Sequence, residues 1–150
     1  MTPDESIKTR HVEAPWKRAV LNILYTGYWI SDRLNEQLKP FGISEQQLNV
    51  LHILNKQGYQ GCNLCDVQEE MMHKMSNATR LVEKLRLKGL VTREIDEENR
   101  RKVEIAITNK GLELLERVEK TLKGYQQEYE SKLSEKEFAQ LAELLEKFRK

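Results

Sequence analysis

The sequence predicts a mainly α-helical fold with one small antiparallel β-hairpin. Three observations predict it. Apolar residues recur at three- and four-residue steps along most of the chain. Between Leu90 and Ile107 that period changes to two. Hydroxyl residues of N-cap type stand in front of several of the helical stretches. Composition agrees: hydrophobic residues make up 39% and charged residues 33% of 150 residues, with only seven Gly and three Pro. That is the balance of a helix-rich globular chain long enough to bury a core.

The elements follow in order. The first dozen residues are polar and are expected to fray. Pro15 then suits the first turn of a helix, and Val20, Ile23, Gly27, Ile30, Leu34 and Leu38 form one stripe along it. Pro40 and Gly42 end this helix. Ser44 and Gln47 spell a capping box, and the helix they open carries Leu48, Leu51 and Leu54 inward before stopping near Gly58. After a Gly-bounded loop, Leu64, Val67, Met71 and Met72 predict a short helix. Ser76 is the expected N-cap of the next one, in which Ala78, Leu81, Val82 and Leu85 share a face and Gly89 supplies the C-terminal stop.

Leu90 to Ile95 reads as a strand, and Val103, Ile105 and Ile107 alternate with Glu104 and Ala106 in its partner. Thr108 can cap a further long helix bearing Leu112, Leu115, Leu122, Tyr125 and Tyr129. Ser134 and Glu137 form a second capping box, before a helix whose seam is Phe138, Leu141, Leu145 and Phe148. Helix, helix, hairpin in this order is a winged helix-turn-helix. The expected organisation is a single domain over 1–150, with a winged-helix core at about 43–108 and dimerisation helices at about 15–40 and 109–150. Two apolar seams on helices too long for such a domain to cover predict an obligate dimer.

Charge is unevenly placed. The formal net charge is only +1, yet residues 74–102 hold nine Lys or Arg against five acids. A basic patch inside a neutral chain suits a phosphate backbone. In the helix after Ser76, the side chains of Asn77, Thr79, Arg80, Lys84 and Lys88 lie away from the apolar face. Short polar groups and an Arg at the N-terminal end of a helix can read base edges in the major groove, and Lys84 and Lys88 suit phosphates. At the hairpin tip, Arg100, Arg101 and Lys102 follow Asp96, Glu97 and Glu98. Three cations where no core can use them suit the negative potential of a narrow minor groove. The acids would hold the arginines in register. Ser76, Asn77, Thr79, Arg80, Lys84, Arg100, Arg101 and Lys102 are the candidate DNA-binding residues.

The stretch SNATRLVEKLRLKGLVTREIDEENRRKVEIAITNKGLELLE resembles the heart of the MarR family of bacterial transcription regulators. The likeness rests on TRLVEKL, on KGLV followed by Arg93, on the acidic-basic wing, and on Ile107-Thr108-Asn109-Lys110-Gly111 at the entry to the next helix. With the flanking long helices it covers about residues 15–148. One position departs: the family's wing reads Asp-x-Arg, and Asn99-Arg100-Arg101 puts an amide in place of the carboxylate. The ion pair that would orient Arg101 must then come from Asp96, Glu97 or Glu98. The resemblance implies a repressor that binds double-stranded DNA as a homodimer on a pseudo-palindromic operator, with small-molecule or redox control of affinity. It places ligands near the junction of the first two helices, where Tyr25, Tyr28, Trp29 and His52 form a candidate pocket for a small aromatic or phenolic effector. Core and dimer packing is the alternative role for those four residues.

Cys62 and Cys65 form a C-x-x-C pair that is structural or incidental, a thiol switch, or part of a metal site, with His52 and His73 the nearest further ligands in sequence. No Gly-rich phosphate loop occurs, and His11, His52 and His73 lie in unrelated contexts. Neither an enzyme nor a cofactor is expected. A winged-helix module for an acidic protein partner is the rival from another class. No stretch approaches the roughly 18 uninterrupted apolar residues of a membrane span, and a signal pattern is absent, so a cytoplasmic location is expected.

Overall fold

A computed structural model describes residues 14–58, 61–100 and 102–150. The chain divides into two compact units, residues 1–115 and 116–150. In the first unit α1 runs Pro15–Leu38, followed by a 3-10 turn at Lys39–Phe41 and by α2 at Glu45–Gln57. Then come β1 (Cys62–Asn63), α3 (Leu64–Glu70), α4 (Ala78–Leu87), β2 (Val91–Ile95) and β3 (Val103–Ile107). Helix α5 covers Asn109–Glu130, and α6, in the second unit, covers Glu135–Phe148.

Local chemistry fixes most of these boundaries. Pro15 begins α1 as expected. Ser44 accepts the Gln47 N–H while Gln47 accepts the Ser44 N–H at 3.0 Å, which closes the capping box of α2. Ser134 and Glu137 do the same for α6. Thr108 Oγ1 accepts the Gly111 N–H at 3.1 Å and donates to the Gly89 carbonyl at 2.7 Å, so one hydroxyl caps α5 and ties it to the end of α4. Gly89 holds φ +73, the left-handed conformation that a helix stop demands.

The core of the first unit forms where α2 lies against α1, α3, α4 and β3. Leu51, Leu54, Val67, Val82, Leu85 and Ile105 are all fully buried there. At about 1.5–3 kcal/mol for each large apolar side chain removed from water, such a cluster holds α4 against α2 without help from its polar face. Further along, Leu114, Leu115 and Val118 of α5 are buried, whereas Leu112 and Leu122 of the expected stripe are only half-buried.

Three expectations need correction. The hairpin is part of a three-stranded antiparallel sheet of order β1-β3-β2, because Cys62 pairs with Ile105 and Asn63 with Glu104. Two residues are too few to show a period in the sequence. Helix α3 stops at Glu70, so Met71 is its buried C-cap while Met72 is 85% exposed. Asn77, not Ser76, is the N-cap of α4: its Oδ1 accepts the Arg80 N–H at 3.1 Å. Ser76 instead closes a turn onto the His73 carbonyl at 3.0 Å and is buried.

Candidate nucleic-acid interface

Helix α4 separates its residues by face. Ala78, Leu81, Val82 and Leu85 are buried, and Thr79, Arg80, Lys84, Arg86, Leu87 and Lys88 are exposed. Within the outward face the charges are sorted further. Arg86 clasps Glu83 with two bonds, Nε to Oε2 at 2.9 Å and Nη2 to Oε1 at 2.7 Å. The side-chain hydrogen bond from Arg86 holds the Glu83 carboxyl below its ordinary pKa. Arg80 and Lys84 make no side-chain hydrogen bond or ion pair among the described residues. The helix's only acid is therefore matched by one cation while two others remain available. Lys88, expected at a phosphate, instead donates Nζ to the Gly42 carbonyl, and Lys110 Nζ donates to the Lys88 carbonyl at 2.9 Å. Both lysines fasten the end of α4.

The first turn of α4 is held from two sides. Asn77 satisfies the Arg80 N–H, and Gln68 on α3 accepts the Ala78 N–H at 3.1 Å. The Asn77 Oδ1 is thus occupied as a cap, and Ser76, also a candidate DNA contact, has its hydroxyl buried without a hydrogen-bond partner among the described residues. The part played by Gln68 has no periodic trace in the sequence.

Strand β2 buries only Val91 and leaves Thr92 to Ile95 exposed, so the wing projects from the core. Its register runs from Val91 opposite Ile107 to Ile95 opposite Val103. At the tip the Asp96 N–H donates to the Lys102 carbonyl at 3.0 Å, and the Lys102 N–H donates to the Asn99 carbonyl at 2.8 Å. Asp96 Oδ1 accepts the N–H groups of Glu98 at 2.9 Å and Asn99 at 3.4 Å. This carboxylate shapes the loop, as Asx turns do. Arg100 and Lys102 are exposed, and neither side chain is ion-paired among the described residues. Arg101 lies outside the described residues.

The remaining candidates lie on α1, α2, β1 and α3. Tyr25 and Trp29 of α1 are half-buried, Tyr28 is 68% exposed, and His52 of α2 is exposed. The Arg33 guanidinium lies 4.8 Å from the Trp29 ring centroid, a cation–π contact. Cys62 is buried and Cys65 exposed, and both thiols are free. Burial, then Asp66 and Glu70, push the Cys62 thiol up from its ordinary pKa. Among the described residues no group of three or more His, Cys, Asp or Glu is placed to hold a metal ion.

This arrangement can be set beside known proteins. Residues 43–103 match the family model of the MarR family. The HTH-type transcriptional repressor MdtR of Bacillus subtilis (strain 168) is 29% identical over 118 residues, 79% of this chain and 75% of the relative. CouR from Rhodococcus jostii RHA1, in a crystal structure bound to p-coumaroyl-CoA, has the same fold at TM-score 0.75 and 23% identity, covering 91% of this chain and 95% of its own. The Staphylococcus aureus MepR–DNA complex aligns at TM-score 0.71 and 25% identity, covering 83% and 93%. The family pattern falls on the helices and wing just described: residues 43–103 of this chain match the MarR family, and the chain shares its winged helix-turn-helix fold with the solved regulators.

Proposed function

We propose that the chain is a repressor that binds a pseudo-palindromic operator as a homodimer, with α4 in the major groove and the wing at the adjacent minor groove. The observation that carries this reading is the sorting of charge on α4. Glu83 is neutralised by Arg86, while Arg80 and Lys84 stay available beside a projecting wing that bears Arg100 and Lys102. Thr79 and Arg80 suit base edges, and Lys84 suits phosphate. Asn77 and Ser76 contribute through the helix start, and Arg101 completes the basic wing tip. The DNA complex of MepR and the repressor name of MdtR support the same reading.

The dimer is supported by apolar side chains left in water. On α1, Trp16, Leu24 and Tyr28 are exposed, and α6 buries no residue at all, with Phe148 65% exposed. Helices 15–40 and 109–150 would then serve dimerisation around a core at 43–108, all within one functional domain. An effector of aromatic or phenolic type, received by Tyr25, Tyr28, Trp29 and His52, fits the aromatic content of α1 and the p-coumaroyl-CoA bound by CouR. Among the described residues no helix is long and apolar enough to cross a membrane, and the cytoplasm is the proposed location. Control by Cys62 and Cys65 is the weaker alternative, since a buried thiol with a raised pKa supplies little thiolate.

Operator selection from random duplexes tests the proposal. The expected result is an inverted repeat whose half-sites are centred about 34 Å apart, one turn of B-DNA. Recovery of unrelated sequences without enrichment would overturn it.

A further inference from the structure

The turn from α3 to α4 is fixed in an unusual way. Met72, His73, Lys74 and Met75 are all exposed, Met75 to 88%, and Lys74 Nζ donates back to the Glu69 carbonyl of α3. Two carboxamides from neighbouring helices also hold its backbone. Asn49 of α2 accepts the Met72 N–H at 2.9 Å. Gln68 of α3 accepts the Ala78 N–H at 3.1 Å and donates to the Lys74 carbonyl at 3.3 Å. Ala78 opens α4, so its N–H is one of the donors that a helix start leaves without an intrahelical partner. Gln68 therefore bridges both ends of the segment that leads into α4, and Asn49 pins the point where the chain leaves α3.

We propose that Gln68 and Asn49 are positioning residues for sequence readout, setting the height and rotation of the first turn of α4. This inference rests on the reading that α4 contacts base edges. Hydrogen bonds to base edges need defined geometry, whereas a lysine on a flexible stem follows a phosphate through small displacements. Neither residue belongs to the apolar core, and α4 keeps Ala78, Leu81, Val82 and Leu85 as its anchor without them. Loosening the turn should therefore lower discrimination and leave non-specific binding in place.

The test compares the full chain with Gln68→Met, Asn49→Leu and Asn49→Asp on the selected operator and on a random duplex, with circular dichroism as the folding control. Gln68→Met removes two hydrogen bonds per subunit and Asn49→Leu one, and each should lower operator affinity about tenfold or more. Random-duplex affinity and salt slope should hardly move. Asn49→Asp keeps the acceptor for the Met72 N–H and should restore the operator-to-random ratio. A folded Gln68→Met or Asn49→Leu with the parent's ratio overturns the proposal, and so does an equal loss on both duplexes or an Asn49→Asp that fails to rescue. If Gln68→Met does not fold, the Asn49 pair decides. A parent with no operator preference overturns the base-reading assignment as well, and that outcome is visible before any variant is measured.

Discussion

Gly111 shows how a single residue ties the helical and sheet parts of the first unit together. A Cβ placed there would lie 2.4 Å from the Leu90 carbonyl oxygen and 2.7 Å from Ile107 Cγ1. The same carbonyl accepts the Thr108 N–H at 3.0 Å, so it is not free to withdraw. Gly111→Ala should destabilise the protein by about 1–3 kcal/mol, the usual cost of overpacking, read as a lower Tm. The sequence marks Gly111 only as part of a family pattern; the close approach that requires it becomes visible once α5 is laid against the β2 entrance. Arg80 and Lys84 differ in the effect they should have. Arg80→Ala should cost about 1–3 kcal/mol per half-site on the operator and little on random DNA. Lys84→Ala should weaken both and flatten the salt slope by about one unit for each phosphate that Lys84 neutralises. A binding titration on the two duplexes separates these outcomes.

At the level of elements, local signals were legible and long-range ones were not. Both capping boxes, the Thr108 cap, Pro15 and the Gly89 stop act within four residues, and each could be read directly. Gln68 reaching Ala78 spans ten residues, Asn49 reaching Met72 spans 23, and Lys88 reaching Gly42 spans 46. None of these pairs follows from spacing, because tertiary packing brings the partners together. The shift of the α4 cap from Ser76 to Asn77 has the same origin: both residue types cap well, and the preceding turn decides which is free to do so. The pair on α4 makes a prediction of its own. Glu83→Gln releases Arg86, and the added free cation should tighten binding to operator and random duplex alike and steepen the salt slope. An unchanged slope would show that Arg86 is turned away from the DNA. On α6, the backbone N–H of Ser134 holds the Glu137 carboxyl below its ordinary pKa. A depressed folded-state pKa stabilises above the unfolded value and loses that contribution as pH falls through the folded one. Protection of the Ser134 amide, taken relative to its intrinsic exchange rate, should therefore hold near neutral pH and be lost only in the acid range below the ordinary carboxylate pKa.

For the whole molecule, the apolar surface and the basic surface lie on different elements. Trp16, Leu24 and Tyr28 on α1 and Leu141, Leu144 and Phe148 on α6 are left in water, and a stable interface resembles a core cut in half. Sedimentation at low micromolar concentration should find a dimer, and a folded monomer would contradict the proposed assembly. Nine Lys or Arg against five acids are concentrated in residues 74–102, a local excess that the net charge of +1 hides. That basic surface is the one proposed to bind duplex DNA sequence-specifically. The most direct measurement is equilibrium binding of the intact protein to the selected operator and to a random duplex across a range of salt. Log affinity should fall linearly with log salt on both, with a slope of about −0.9 per phosphate neutralised, and the operator should bind about a thousandfold or more tighter. Equal affinity for the two duplexes, or binding indifferent to salt, would contradict the proposal.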